Sequence, residues 1–108
     1  SKISKKIRVP YVPIGFTHSY QMYTVTVEAK IRNKLLNFLK KNNIEASAHF
    51  DPPLHLQKYL KKFNKNKLYT TEKLSREILT LPIFPDMSKK EVNYVIKTVK
   101  KFYKLNNL

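Results

Sequence analysis

One stretch near the middle of the chain, residues 46–59 with the sequence ASAHFDPPLHLQKY, most limits what the chain can fold into. The adjacent Pro52 and Pro53 lack the backbone N–H that helices and sheets require, so both patterns must break there. Before this stretch the pattern predicts strand, helix and strand; after it come two helices, a short extended piece and a last helix. We therefore expect a long turn where a sheet passes to helices, a common position for ligand-contacting groups.

The length and composition indicate one folded domain. The chain has 108 residues, 42% of them hydrophobic, which is enough for one modest core. No apolar run approaches the roughly 20 residues that span a bilayer, and no signal-peptide pattern is present. The lack of cysteine removes disulfides, thiolate chemistry and cysteine zinc sites. These features lead us to expect a cytoplasmic protein with no membrane partner.

The net charge of +15 has two interpretations. One is a free-standing basic domain that binds an anionic partner such as nucleic acid; the other is a lysine-rich, solvated surface. The arginines are Arg8, Arg32 and Arg76, whereas specific recognition of phosphates and bases favours arginine over lysine. Because the lysines are spread over every predicted helix, the solvated surface is preferred and the anionic partner is kept as the alternative.

Strand and helix patterns fill the first half of the chain. Residues 1–17 form an extended, basic, proline-containing lead-in. Residues 19–27 are rich in aromatic and β-branched residues with apolar groups on both faces, which predicts a central strand. Residues 30–42 have helical periodicity, with Arg32 among the polar residues of the outer face. A second strand is predicted over residues 44–50.

Helical patterns dominate the second half. A short amphipathic helix is predicted over residues 56–63. The next helix is expected to be capped by Thr70 or Thr71 and to stop before Pro82. Its expected inner face consists of Leu74, Ile78 and Leu81.

The last helix has the strongest signal. Ser88 and Glu91 spell a capping box at its start, and Met87 with Val92 spells a hydrophobic staple. The apolar residues that recur at helical spacing along its inner face are Val92, Val95, Ile96, Val99 and Phe102. Together the patterns predict an α/β (α+β) fold, a small sandwich of about three strands and four helices.

The residues alone point to no self-sufficient catalytic site. His49, Asp51 and His55 match no metal-ligand spacing and lack a third fixed ligand, so no metal site is predicted. Ser47 lies two residues before His49 on one strand face, but no acid is placed to orient that histidine. The single glycine, Gly15, excludes a glycine-rich phosphate loop.

The order of several motifs resembles a known family. The motifs are SYQMYTV, FLKKNNI, the turn at residues 46–59, and a long run beginning TTEKLSREILTLPIFPDMS. From about His18 to Phe102 the chain resembles the C-terminal small domain of DegT/StrS-type (DegT/DnrJ) nucleotide-sugar aminotransferases, which use pyridoxal phosphate. The most specific parts are HFDPPLH at residues 49–55 and ILTLPIFP at residues 78–85.

This resemblance implies the fold of the C-terminal domain of pyridoxal-phosphate-dependent aminotransferases, over residues 18–108, with residues 1–17 coming from an inter-domain connection. It implies a longer parent enzyme, a homodimer whose larger N-terminal domain holds the cofactor on a lysine outside this chain. The parent would transfer an amino group to a nucleotide-linked keto-sugar for cell-surface polysaccharide or secondary-metabolite synthesis. The chain alone is expected to bind no cofactor and to be inactive, and to close the active site and support the dimer in the parent.

The resemblance also implies three substrate-binding residues, His49, Phe50 and His55, at the border of the sugar pocket. It assigns no catalytic, cofactor-binding or metal-binding residue to this chain. The sequence departs from the family at two positions. Histidine is common where Gln21 stands, which weakens any inferred contact from that strand. Glycine is usual where Asn43 stands, a change that asparagine tolerates because it enters the left-handed region.

Two other functions stay open from the sequence. One is the free-standing basic domain with an anionic partner, for which nucleic-acid binding with a steep salt dependence is the discriminating observation. The other is a domain whose sole role is dimerisation.

Overall fold

The computed structural model describes residues 6–108, so residues 1–5 of the predicted lead-in lie outside the described residues. In chain order the main elements are β1 (Tyr23–Thr26), α1 (Ala29–Lys41), α2 (Tyr69–Glu77), β2 (Ile78–Leu81) and α3 (Lys89–Leu105). Two single-turn 3-10 helices, Leu54–Leu56 and Lys61–Phe63, lie between α1 and α2. The described residues thus form a mixed α/β fold with two strands and three α-helices, fewer of each than the sequence predicts.

The sheet is small but extends beyond its two strands. β1 and β2 pair antiparallel along their full length. Single bridges add Arg8 beside β1 and Ser47 beside β2. β1 therefore has a backbone partner on each side, in agreement with a central strand, although it is shorter than residues 19–27. The strand predicted over residues 44–50 is wrong in extent, because only Ser47 makes ladder hydrogen bonds.

The core joins the inward face of this sheet to α1 and α3. Val25 of β1 and Leu79 of β2 lie opposite one another and are 1% and 0% exposed. Leu35 and Leu39 of α1 and Val99 of α3 are equally buried and belong to the same cluster. Burying each such side chain contributes roughly 1.5–3 kcal/mol, so this cluster holds the two helices against the sheet. None of the helices described between residues 6 and 108 is long and apolar enough to cross a membrane.

The helix predicted up to Pro82 is wrong in its second half. α2 ends at Glu77, and residues 78–81 form β2 instead. Burial alternates along β2, with Leu79 and Leu81 buried and Ile78 and Thr80 half-buried, which is the period of a strand. Leu81 fits the helical spacing that begins at Leu74 and also the strand spacing with Leu79. The sequence pattern therefore extended the predicted helix into what is a strand. The predicted threonine cap is also wrong, since the residue before α2 is Leu68 and no side chain caps the helix.

The helix predicted over residues 56–63 is replaced by the two 3-10 turns. Tyr59 and Phe63, two aromatic residues of the predicted helix, are exposed. A helix this short is marginal unless it packs on a core, and here its aromatic residues find none.

The two long helices are confirmed. α1 matches residues 30–42 to within one residue at each end, and Asn43 follows it with a φ of 58°. α3 begins with the predicted capping box: the Glu91 N–H donates to Ser88 Oγ at 3.1 Å, and the Ser88 N–H donates to Glu91 Oε2 at 2.7 Å. Of the predicted staple, Met87 packs against the core, whereas Val92 is 41% exposed.

Candidate functional site

The turn singled out by the sequence begins at the sheet, and we call residues 47–55 the His-Pro turn. The Ser47 N–H donates to Thr80 O at 3.1 Å, and the Thr80 N–H donates back to Ser47 O at 2.8 Å. From this bridge beside β2 the chain leaves the sheet and reaches the 3-10 helix Leu54–Leu56. The first residue of the turn is therefore fixed by backbone hydrogen bonds to β2, the strand whose Leu79 and Leu81 belong to the core.

The tip of the turn presents His49 and Phe50 outward. His49 is exposed, and its Nε2 lies 2.9 Å from Ser47 Oγ. Phe50 is 66% exposed, with its ring centroid 6.3 Å from that of His49. The φ of Phe50 is 58°, in the left-handed region, which costs a bulky residue about 1–3 kcal/mol. Such a conformation persists where neighbouring contacts over-determine it, and two such contacts follow Phe50 in the chain.

The first of these contacts joins Asp51 to a buried arginine. The carboxylate of Asp51 accepts a charge-assisted hydrogen bond from Arg32 Nη2 of α1. Arg32 is only 2% exposed, whereas the Asp51 side chain is 37% exposed. The Asp51–Pro52 peptide bond is cis. The ion pair thus connects the surface of the turn to the interior of the domain.

The second contact joins His55 to α2. His55 Nε2 lies 3.1 Å from Glu72 Oε1, and the two side chains are 13% and 12% exposed. Pro53, between the two contacts, is buried. The turn is therefore held at Asp51 by α1 and at His55 by α2, and His49 and Phe50, which come before these contacts, are exposed.

The three substrate-binding residues expected from the sequence do not converge on one point. His49 and Phe50 lie side by side at the tip, whereas His55 turns inward to Glu72. A groove lies beside Ser47 and Thr80, at the start of the turn. Its lining includes Gln21, Met22, Glu45, Ser47, Thr80 and Phe84.

Arg32 is the functional candidate that sequence reasoning missed. The pattern placed it on the outer face of α1, but it is one of the few charged residues buried among those described. A signal was present: Leu35, Leu36 and Leu39 follow it at spacings of three, four and seven, which puts it beside the apolar stripe. The spacing shows which face Arg32 borders, but its partner Asp51 lies across the fold and cannot be read from the helix.

The described lysines lack the surroundings that a Schiff-base lysine usually has. A lysine that forms a Schiff base is usually desolvated in a pocket, which makes its amine nucleophilic. Every lysine between residues 6 and 108 is exposed. The same region holds no group of three histidine, aspartate, glutamate or cysteine side chains placed to bind a metal ion.

Comparison with known proteins identifies relatives along most of the chain. The model of the DegT/DnrJ/EryC1/StrS aminotransferase family matches residues 3–100. A "Pleiotropic regulatory protein" of Geobacillus stearothermophilus is 32% identical over 92 residues, covering 83% of this chain and 24% of that protein. The dTDP-3-amino-3,6-dideoxy-alpha-D-galactopyranose transaminase of Aneurinibacillus thermoaerophilus is 29% identical over 96 residues, covering 89% and 26%.

The fold agrees with these sequence matches. The crystal structure of a DegT DnrJ EryC1 StrS aminotransferase from Brucella abortus superimposes with a TM-score of 0.83 at 26% identity, over 94% of this chain and 27% of that one. The chain spans about a quarter of the length of the relatives it matches. It belongs to the DegT/DnrJ/EryC1/StrS aminotransferase family, a family of pyridoxal-phosphate-dependent sugar aminotransferases.

Proposed function

We propose that this chain is the C-terminal small domain of a longer aminotransferase, with residues 18–108 as the domain and residues 1–17 as the connection to it. The parent enzyme transfers an amino group to a nucleotide-linked keto-sugar and works as a cytoplasmic homodimer. The chain matches about a quarter of each relative, which supports a longer parent enzyme. The exposure of every described lysine supports a cofactor site outside this chain.

In this proposal the His-Pro turn faces the sugar nucleotide. The observation that carries it is the outward display of His49 and Phe50 by a turn that is held from behind at two points. A held loop loses little conformational entropy when a substrate binds, which is what a positioning surface requires. The exposed ring of Phe50 supplies apolar area that excludes water from the sugar.

The histidines supply polar contacts. In His49 and His55 the Nε2 atom is engaged, by Ser47 and Glu72 respectively. Nδ1 of each has no hydrogen bond to the residues described here, so it can meet a sugar hydroxyl or a phosphate oxygen. In this proposal His49 meets the substrate at the tip of the turn, and His55, whose side chain is 13% exposed, meets it at the base. Their role is to bind and orient, and the chemistry of amino transfer is supplied by the cofactor held in the larger domain.

A domain replacement tests the proposal. In the Aneurinibacillus transaminase, the quarter that this chain matches would be exchanged for the chain itself. Turnover of the chimera, compared with the same enzyme lacking that quarter, measures whether the chain closes the active site. Cofactor absorbance and gel filtration serve as controls for folding. We expect turnover from the chimera and none from the truncated enzyme; a folded, cofactor-loaded chimera without turnover would contradict the proposal.

A further inference from the structure

Arg32 is unusual in this chain because it is a charged side chain in the interior. The lysines of the described region are all exposed, as are Arg8 and Arg76, whereas Arg32 is 2% exposed. Removing a guanidinium from water costs several kcal/mol unless its N–H groups are satisfied. The N–H groups of Arg32 must therefore be matched by acceptors inside the domain.

The contacts of Arg32 reach several segments at once. Nη1 donates to Ser75 O at 2.9 Å and to Ile78 O at 3.1 Å, the two sides of the junction between α2 and β2. Nε donates to Asn33 Oδ1 at 2.8 Å. Nη2 pairs with Asp51 of the His-Pro turn. The planar fork of arginine makes this possible, since it presents donors in fixed, diverging directions.

The surroundings of the acceptors show which of them fix the position of the Arg32 guanidinium and which is positioned by it. The carbonyls of the α2–β2 junction belong to residues fixed by helix and ladder, so they hold the guanidinium in place. Asp51 is the partner outside the regular elements, and it directly follows Phe50, whose backbone is in the left-handed region. The guanidinium is thus held by the α2–β2 junction, and through Asp51 it holds the His-Pro turn.

We infer that Arg32 is a positioning residue, which acts through Asp51 to hold His49 and Phe50 in the geometry that faces the substrate. The substrate-facing role of the turn rests on the proposed function; the dependence of the turn on Arg32 does not. Lysine cannot take the place of Arg32, because a single ammonium group cannot reach both the junction carbonyls and the carboxylate with the same geometry.

The test breaks the connection at its exposed end. Asp51→Ala removes the carboxylate, whereas the Arg32 acceptors at the α2–β2 junction, Ser75 O and Ile78 O, remain. Circular dichroism verifies that the variant is folded before the turn is examined. Amide ¹⁵N relaxation of the 108-residue chain then reports the order of the turn. We expect the order parameters at His49 and Phe50 to fall from about 0.85 to below about 0.6, with partial recovery in Asp51→Glu.

A matched control uses an ion pair that does not touch the turn. Lys73→Ala removes the exposed partner of Glu77 on α2, at 3.7 Å, and is expected to leave the turn ordered. Unchanged order at Phe50 in Asp51→Ala, or an equal loss of order in Lys73→Ala, would overturn the inference.

Kinetics of the chimera separate this inference from the proposed function. With Asp51→Ala in the chimera we expect KM for the nucleotide sugar to rise about tenfold, with little change in kcat and in cofactor absorbance. A turn that loosens in the relaxation experiment without a change in KM supports the role of Arg32 and contradicts the substrate-facing role of the turn. A turn that stays ordered contradicts the role of Arg32 whatever the kinetics show.

Discussion

The contact between His55 and Glu72 holds the base of the His-Pro turn, and its strength can be measured by a double-mutant cycle. The variants are His55→Ala, Glu72→Ala and the double variant. The two side chains are 13% and 12% exposed, and Nε2 lies 3.1 Å from Oε1. Removing His55 leaves a nearly buried carboxylate without this partner, which costs about 1–3 kcal/mol. We expect a coupling free energy of about 1–2 kcal/mol, because the double variant leaves neither group unsatisfied.

The assay is urea unfolding followed by circular dichroism at pH 7, with the free energy of unfolding extrapolated to water. The control cycle uses Glu28 and Lys30, which lie 3.0 Å apart but are 53% and 73% exposed. Exposed pairs contribute roughly 0.2–1 kcal/mol, so its coupling should be the smaller of the two. A His55–Glu72 coupling no larger than that of the control would refute the reasoning, since it would mean that α2 does not hold the turn.

Three further changes test other parts of the fold by the same assay. Asn43→Gly should stabilise the chain by roughly 0.5–1 kcal/mol, because the φ of 58° at Asn43 suits a residue without a Cβ; a loss of stability would contradict this. Ser88→Ala should cost about 1 kcal/mol by removing the cap of α3, and an unchanged midpoint would show that the cap is dispensable. The Tyr103 hydroxyl is buried without a hydrogen-bond partner among the described residues, so Tyr103→Phe should be neutral or stabilising at pH 8. Burial, and secondarily the charge of Glu28, raise the pKa of Tyr103 to about 12 from the usual 10.0. The unfolded chain therefore loses this proton first, and wild-type stability should fall between pH 10 and 12 more steeply than that of Tyr103→Phe; parallel profiles would argue against the buried hydroxyl.

The long helices could be predicted from the sequence because their apolar stripes are continuous and, in α3, the start is spelled out by Ser88 and Glu91. The segment from Leu74 to Leu81 could not, because its leucines fit helical and strand spacing together and only the pairing with β1 decides between them. The strand predicted over residues 44–50 failed for a similar reason, because the length of a strand depends on its partner. Only Ser47 of this run makes a bridge, to Thr80 of the four-residue strand β2.

The candidate site was predictable in part. The His-Pro turn was found because prolines break both regular patterns, and the family resemblance that it carries is confirmed by the family match. The inward orientation of His55 and the burial of Arg32 were not predictable, since each depends on a partner distant in sequence, Glu72 and Asp51. The alternative of an anionic partner finds no support in the comparisons, where the relatives named above include aminotransferases.

The central claim is that the tip of the His-Pro turn contacts the nucleotide sugar in an assembled aminotransferase. The most direct measurement is KM for the nucleotide sugar in the chimera carrying His49→Ala, with Lys34→Ala on the exposed face of α1 as the control. Loss of a hydrogen bond to a charged group costs about 1.5–3 kcal/mol, so KM should rise roughly 10- to 100-fold while cofactor absorbance is unchanged. Identical KM values in the two variants and the parent chimera would contradict the account.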